Sequence, residues 1–303
     1  MDDDVTRKNA SPGEEVPQHF FGRVLKPGEM LEHARYSSVR VVAERLRPFV
    51  KRYWAVEWDL PDGESYQSAT LSEPTIHLTF EFGNSRRAHV DGPGAWVTGP
   101  VTKRRFDVGL FGRGCVFGVN FQPGATLAFS DQKPASIRDS TVPAGLWFPR
   151  LEADLGLAEV FSQSQSAEVP ELGELAESVE SWLLSWRPQM TPSFERLKRV
   201  LYVLADPEVV SLKILAERTD IGERTLQRMF SSFCGVGVKK VLARARVIDA
   251  VGAIDRGWDG TLADLGAHFG WFDQSHFSTD FVRVTGFSPA EYAQRKSARV
   301  TRS

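Results

Sequence analysis

The chain has 303 residues, long enough for two domains, and its 42% hydrophobic content allows real cores. The formal net charge of −2 neither favours nor excludes nucleic acid as a partner, and two cysteines in different regions argue against a disulfide framework. Residues 1–18 are acidic and polar, which predicts a disordered tail and not a signal peptide. Because no apolar run reaches about 18 residues, we predict no membrane span and a cytoplasmic protein.

Residues 19–150 are predicted to form a β-rich, sensor-like domain. Residues 47–60 read as a strand, and residues 75–82 alternate with Ile76, Leu78, Phe80 and Phe82 on one face and Thr75, His77, Thr79 and Glu81 on the other. Further short strands are expected at residues 87–90, 95–101, 104–111 and 115–122. Gly-rich turns separate them, among them Gly83-Asn84 and Gly112-Arg113-Gly114. This spacing is typical of a barrel or a sandwich.

Aromatic side chains of these strands are candidates for lining a ligand pocket, although packing in the core is the commoner role of such residues. They are Trp54, Trp58, Phe80, Phe82, Phe117 and Phe121. A metal enzyme of the cupin kind would need clustered histidines, and the six histidines include no His-x-His pair. His77 and His89, on facing strands, stay open as ligands, with ordinary strand histidines favoured. We therefore predict no metal, no cofactor and no catalysis.

Residues 151–190 are predicted to be a helical dimerisation or linker region. Residues 171–186 carry an apolar stripe at helical spacing that includes Leu175, Val179, Trp182 and Leu183. The stripe can pack on its own domain or form a dimer seam, and both interpretations stay open. Residues 187–192 are the predicted linker to the next helix.

Two helix-turn-helix patterns follow within residues 191–303. In the first, Ser211 is a good N-cap, a turn falls at residues 219–222, and a second helix runs over residues 223–233 to Gly235. In the second, Thr261 and Asp264 can form a capping box, and Asp273 can cap a helix that ends at Gly286. Each pattern has a buried apolar stripe and an exposed polar face on its second helix. The exposed faces carry Arg224, Thr225, Gln227, Arg228 and Ser231 in the first, and Gln274, Ser275, Ser278, Thr279 and Asp280 in the second.

The segment between the patterns, residues 239–256, has no helix breaker except Gly252. A helix of this length spans about 27 Å at about 1.5 Å per residue. That is close to the roughly 34 Å between successive major grooves on one face of a duplex. Charge supports the same partner, since residues 193–303 contain 17 Lys and Arg against 13 Asp and Glu, a net +4, while the remainder carries 20 against 26, a net −6.

The stretch from about Thr191 to Gln294 resembles the DNA-binding domain of the AraC/XylS family of bacterial transcription regulators. The resemblance is carried by residues 215–217, 226–230, 243–246 and 270–277, and continues in register through Gly286, Pro289 and Tyr292. It departs from the family at Val238 and Val241, where Pro and an aromatic are usual, and at Thr279 and Asp280, where an Arg is frequent. The N-terminal strands also resemble the β-rich domain that precedes such readers, notably at residues 53–54, 99–100, 104–106 and 116–124.

The resemblance implies base-edge contacts for Arg224, Gln227 and Arg228, since Arg pairs with guanine and Gln with adenine. The matching residues of the second helix, with short hydroxyls, favour phosphate contacts, and Asp280 is expected to repel phosphate there. The fold prediction is a two-domain α+β protein: a β-rich barrel- or sandwich-like domain, then an all-α domain with two helix-turn-helix units on a linker helix. The predicted function is transcription regulation by binding double-stranded DNA as a homodimer. A small-molecule effector and RNA polymerase are further candidate partners. Two rival functions stay open: an enzyme, and a module that sequesters another regulator.

Overall fold

A computed structural model describes residues 23–300, except residues 26, 40, 42, 73, 88–89, 92, 157–171 and 207, and the side chains of residues 23, 27–28, 39, 91, 172 and 295–300. The predicted tail over residues 1–18 and His89 lie outside this described part. Within it, no helix combines the length and the apolar character that crossing a membrane requires. Within the same residues, no three potential metal-ligating side chains (His, Cys, Asp or Glu) come together.

The N-terminal half of the described chain is one antiparallel sheet whose central strand is also its longest. That strand, β8, pairs with β3 and β4 and, along most of its length, with β5. Among the described residues the sheet does not close into a barrel. The strands are β1 (Arg23–Val24), β2 (Arg35–Val39), β3 (Val50–Asp59), β4 (Ser65–Leu71), β5 (His77–Arg87), β6 (Val90–Asp91), β7 (Gly94–Thr98), β8 (Phe106–Phe121) and β9 (Thr141–Pro143).

Two predicted turns are wrong, because β5 runs through Gly83-Asn84 and β8 runs through Gly112-Arg113-Gly114. At this point the two paired strands lie very close to each other and to the Trp58 ring. A Cβ on Gly83 would lie 2.3 Å from the Arg113 carbonyl oxygen, and a Cβ on Gly114 would lie 2.2 Å from the Trp58 ring. The glycines therefore permit a bend and a bulge within paired strands, a use that sequence alone does not distinguish from a turn.

The polar face of β5 is enclosed, with Thr79 and Glu81 5% and 3% exposed. The Glu81 carboxylate forms an ion pair with Arg87 and accepts hydrogen bonds from the Thr79 and Ser85 hydroxyls. Arg87 also donates to the Thr98 hydroxyl on β7. Burial lowers the pKa of Arg87, and the Glu81 charge opposes that shift. The pairing among these side chains makes the burial of their charges tolerable.

Eleven helices are present among the described residues. They are α1 (Pro27–His33), α2 (Ala144–Trp147), α3 (Leu151–Asp154), α4 (Leu172–Ser185), α5 (Pro192–Leu204), α6 (Leu212–Thr219), α7 (Glu223–Cys234), α8 (Val238–Asp255), α9 (Leu262–His268), α10 (Gln274–Thr285) and α11 (Pro289–Val300). The stripe of α4 packs against the protein itself: Val179 and Leu183 are fully buried, and Glu180 accepts a hydrogen bond from the Ala43 amide. The first of the two interpretations of this stripe is the one seen.

The largest core runs without interruption from the sheet into the first helix-turn-helix unit. Phe49, just before β3, stacks on Phe194 of α5 with ring centroids 5.6 Å apart. A Cβ on Gly124 would lie 2.6 Å from a Leu197 methyl carbon. A second cluster holds the end of α8 together with α9, α10 and α11, and includes Leu25 and Leu71 from the sheet region, with Ala69 packed against it.

Candidate DNA-binding interface

The first helix-turn-helix unit consists of α6 and α7, and its ends form as the sequence predicts. The Ser211 hydroxyl accepts a hydrogen bond from the Ile214 amide at the start of α6. Asp220, with φ +52°, turns the chain, and Ile221 is buried beneath the turn. Gly235, with φ +67°, ends α7 in the left-handed conformation that favours glycine.

The exposed face of α7 carries the predicted reading residues. Leu226 and Phe230 are fully buried, which fixes the rotation of the helix about its axis. Arg224, Gln227 and Arg228 are exposed on the opposite side, with Ser231 exposed and Thr225 half-buried beside them. None of the ion pairs among the described residues involves either arginine. The face thus presents two guanidinium groups and an amide outward, a donor set that suits base edges.

The second unit consists of α9 and α10. The Thr261 and Asp264 capping box is present in both directions, and the Asp273 carboxylate accepts a hydrogen bond from the His276 amide at 2.7 Å. Phe277 and Phe281 are fully buried, which turns Gln274, Ser275 and Thr279 to solvent and leaves Ser278 half-buried. This face offers one amide and three hydroxyls.

Asp280 is not on that exposed face, so its predicted placement there is wrong. The residue is 3% exposed. Its carboxylate accepts a hydrogen bond from the Trp271 indole at 3.0 Å and pairs with the Arg283 guanidinium. The His276 imidazole lies 3.4 Å away. Asp280 therefore holds the second unit together, and its charge is balanced locally.

Phe272 is a feature that the sequence analysis did not single out. It precedes the N-cap of α10 and is 97% exposed. An apolar residue at this position usually packs on the fourth residue of the helix, here Phe277. Trp271 takes that contact instead, with ring centroids 4.9 Å apart, and Arg246 covers the other side of the indole. A phenylalanine is therefore left free next to the reading face.

The helix that joins the two units, α8, has 18 residues and passes through Gly252 without a break. Its start and end each differ by one residue from the prediction. Val238 and Val241, the positions that depart from the family pattern, are both buried. A continuous helix of this length spans about 27 Å, close to the roughly 34 Å between successive major grooves on one duplex face.

The six predicted pocket aromatics do not share one environment. Phe80, Phe82, Phe117 and Phe121 are 1% exposed or less and lie in the large core. Trp54 is half-buried. Trp58 lines an open cavity of about 910 Å³ between α1, β2 and the middle of β8, together with Tyr36, Glu57 and Arg113. The other five aromatics do not line this cavity.

Comparison with known families gives two matches along the chain. Residues 215–295 match a helix-turn-helix domain, which corresponds to the two units and α8. Residues 42–143 match a domain of unknown function (DUF6597), which corresponds to most of the sheet.

Among curated proteins, the HTH-type transcriptional activator RhaS of Escherichia fergusonii is 32% identical over 105 residues, which are 34% of this chain and 37% of RhaS. The HTH-type transcriptional activator RhaR of Yersinia pseudotuberculosis is 30% identical over 78 residues, 26% of this chain and 27% of RhaR. The matched part thus spans about a third of the length of these relatives.

Two solved structures are similar at low identity. The C-terminal domain of AraT, a response regulator from Geobacillus stearothermophilus, has a TM-score of 0.31 at 20% identity and covers 35% of this chain and 88% of that one. ToxT from Vibrio cholerae has a TM-score of 0.41 at 11% identity and covers 80% of this chain and 97% of that one. Both likenesses are too remote to bear on function.

Proposed function

The C-terminal region contains an AraC-type helix-turn-helix domain, and from it we propose that the chain regulates transcription by binding duplex DNA in a sequence-specific manner. The observation that carries the proposal is the pair of exposed helix faces, on α7 and α10, held by the unbroken helix α8. In a helix-turn-helix protein the second helix enters the major groove, and two such helices one turn apart can read two blocks of one site.

The roles of individual residues follow from their chemistry. Arg224, Gln227 and Arg228 are the proposed base readers, because guanidinium and amide groups can form paired hydrogen bonds with guanine and adenine. Thr225 and Ser231 flank them. Gln274, Ser275, Ser278 and Thr279 are proposed to position α10 on phosphates, since hydroxyls carry little sequence information. Binding is non-covalent, and no reaction is part of the proposal.

The same proposal includes the organisation of the chain. It divides the chain into a β-rich sensor-like region over residues 19–150, a helical region over residues 151–190 and a reader over residues 191–303. The family matches at residues 42–143 and 215–295 support this division. A small-molecule effector, a homodimer, contact with RNA polymerase and a cytoplasmic location stay predictions. Because Val179 and Leu183 of α4 are buried within the chain, a dimer would need another surface.

The proposal is tested by incubating the full chain with fragments of genomic DNA at stated salt concentrations and sequencing what is bound. We expect a small set of enriched fragments that share a motif. The affinity should fall steeply as salt rises, because phosphate contacts release counterions. A control chain with Arg224→Ala and Arg228→Ala should lose the enrichment but keep its fold. Retention of DNA without enrichment of any sequence would contradict sequence-specific regulation.

A further inference from the structure

The C-terminal end of the first reading helix, α7, is held by a residue of the β-rich region. Arg138 donates from Nε to the Gly235 carbonyl oxygen at 2.8 Å, and from its Nη2 to the same oxygen. The short 3-10 helix just before it, Pro134–Ile137, packs directly against Gly235, where a Cβ would lie 2.6 Å from the Ala135 amide nitrogen. A cation at this end also interacts favourably with the helix dipole, which adds to the stabilisation from the hydrogen bonds.

The C-terminal end of the second reading helix, α10, is held in the same way. Arg105 donates to the Thr285 carbonyl oxygen at 3.0 Å. Its guanidinium also lies 4.5 Å from the centre of the Phe287 ring, just beyond the end of the helix. Its Nε is fixed by Asp107 at 2.7 Å. Each reading helix therefore ends on an arginine that comes from the β-rich region.

The two arginines belong to one rigid piece of backbone. Asp139, next to Arg138, accepts hydrogen bonds from the Thr102 amide, the Thr102 hydroxyl and the Lys103 amide. Two main-chain hydrogen bonds, from Gly99 to Ser140 and from Asp139 to Pro100, join the same two segments. We name residues 99–105 and 134–140 the bridge.

The bridge also contacts α8, the helix between the two reading helices. Arg244, in the middle of α8 and 4% exposed, donates to the Arg104 carbonyl oxygen in the bridge and to the Ser72 carbonyl oxygen beside it. Burial lowers the pKa of Arg244 to about 10, and the nearby Asp139 carboxylate offsets part of that shift, so the guanidinium stays charged at neutral pH. The bridge thus contacts α7, α8 and α10 at three separate points.

We propose that the bridge sets the separation and relative orientation of the two reading helices, with Arg105 and Arg138 as positioning residues. The inference rests on the proposed DNA binding and adds to it a determinant of site geometry outside the matched helix-turn-helix domain. Helix α8 is joined to α7 through residues 235–237 and to α9 through residues 256–261, so α8 alone does not fix the orientation of the two reading helices. Contacts at both helix ends, on one braced segment, fix that orientation. The bridge then determines which spacing between two DNA blocks the chain binds best.

The test uses the full chain and a pool of duplexes that carry the two blocks enriched by the wild-type chain, with spacers two base pairs shorter to two base pairs longer than the enriched one. One base pair moves a block by about 3.4 Å and rotates it around the duplex. We expect the affinity of the wild-type chain for one spacing to exceed its affinity for the neighbouring spacings by about tenfold. A misplaced block should cost about as much binding as one mismatched base pair. Arg105→Gln with Arg138→Gln should flatten that preference to about twofold while the sequence of each block stays the same.

Two controls separate positioning from charge and from folding. Lys103→Gln with Arg104→Gln removes two charges from the same segment, where both side chains are exposed, and should keep the wild-type spacing preference. When Arg138→Lys replaces Arg138→Gln in the double variant, a donor is kept near the Gly235 carbonyl oxygen. Part of the spacing preference should then be restored. If the double variant does not fold, the single variants Arg105→Gln and Arg138→Gln give the same comparison.

The outcomes are distinguishable. A wild-type chain that enriches no sequence defeats the proposed function itself. With the function intact, the positioning role is overturned by a double variant with an unchanged spacing preference, or by a wild-type chain that enriches a single block. It is also overturned by a double variant that binds every spacing more tightly than the wild-type chain, because the contacts would then restrain binding.

Discussion

The two helix-turn-helix units share one design and differ in what surrounds it. In both, the first helix has a side-chain N-cap, a short turn follows, and the reading helix ends on a glycine with positive φ. The core of the first unit is continuous with that of the sheet, by way of Phe194 and Leu197 of α5, whereas the second unit lies in a separate cluster that includes few sheet residues. The first exposes two arginines and a glutamine, whereas the second exposes mainly hydroxyls and a lone phenylalanine.

This difference separates fold from recognition. Caps and buried stripes decide that a reading helix forms and which face it turns outward, and both units bury an apolar stripe although only α10 has a side-chain N-cap. The exposed residues decide what that face can do, and there the units diverge. A shared motif therefore does not imply a shared role, and each unit has to be judged by its exposed side chains.

The largest expected effect concerns the cores. Phe230→Ala in the first unit and Phe277→Ala in the second each remove a fully buried ring and should cost about 3–5 kcal/mol of local stability. The consequences should differ in extent. Hydrogen exchange should accelerate in α4 and in the sheet for Phe230→Ala, but mainly in the end of α8 and in α9, α10 and α11 for Phe277→Ala. Equal spread in the two variants would show that the units are not separate clusters.

The next effect concerns recognition by the first unit. Arg228→Ala should cost about 1–3 kcal/mol at one base position and relax the preference there, since a guanidinium that pairs with guanine is lost. The measurement is competition binding with duplexes changed one base pair at a time. Arg218→Ala is the matched control, because that arginine lies on α6 and pairs with Asp206 and Glu208. An unchanged preference at every position would sink the role given to Arg228.

A smaller and more uniform effect is expected in the second unit. Replacement of Gln274, Ser275 and Ser278 by alanine should lower the affinity for all sequences by about three- to tenfold, because contacts to phosphate are lost without loss of base readout. The same set of single-base-pair competitors measures it. If the replacements change which base is preferred, α10 reads sequence and the contrast between the units fails.

The smallest effect is expected for Phe272→Ala. A side chain that is 97% exposed contributes little to folding, so the free energy of unfolding should change by less than about 0.5 kcal/mol. Affinity for DNA should fall by about threefold, because an apolar group beside the reading face can contact a thymine methyl. Chemical denaturation and binding titration measure the two quantities. A marked loss of stability would mean that Phe272 packs within the second unit.

Sequence reasoning predicted the local features well. Ser211, Thr261 and Asp273 act as N-caps as expected, and α8 differs from its predicted bounds by one residue at each end. Such features depend on residues within four positions of one another, which a single sequence displays directly. The exposure of Arg224, Gln227 and Arg228 follows from the same periodicity.

Features that depend on distant partners could not be predicted. Alternation in β5 separates two faces but does not reveal that the polar one is buried as well. Asp280 was misplaced because its indole partner, Trp271, reaches it from the preceding turn. The bridge was missed for the same reason: its contacts join Arg105 to Thr285 and Arg138 to Gly235, residues about a hundred positions or more apart.

The contrast between the units is tested most directly by selection of bound duplexes from a random library with the full chain. The account predicts one sharply defined block where α7 docks and, about 10 base pairs away, a second block with weaker base preference. Two blocks of equal sharpness, or a sharper block beneath α10, would contradict it.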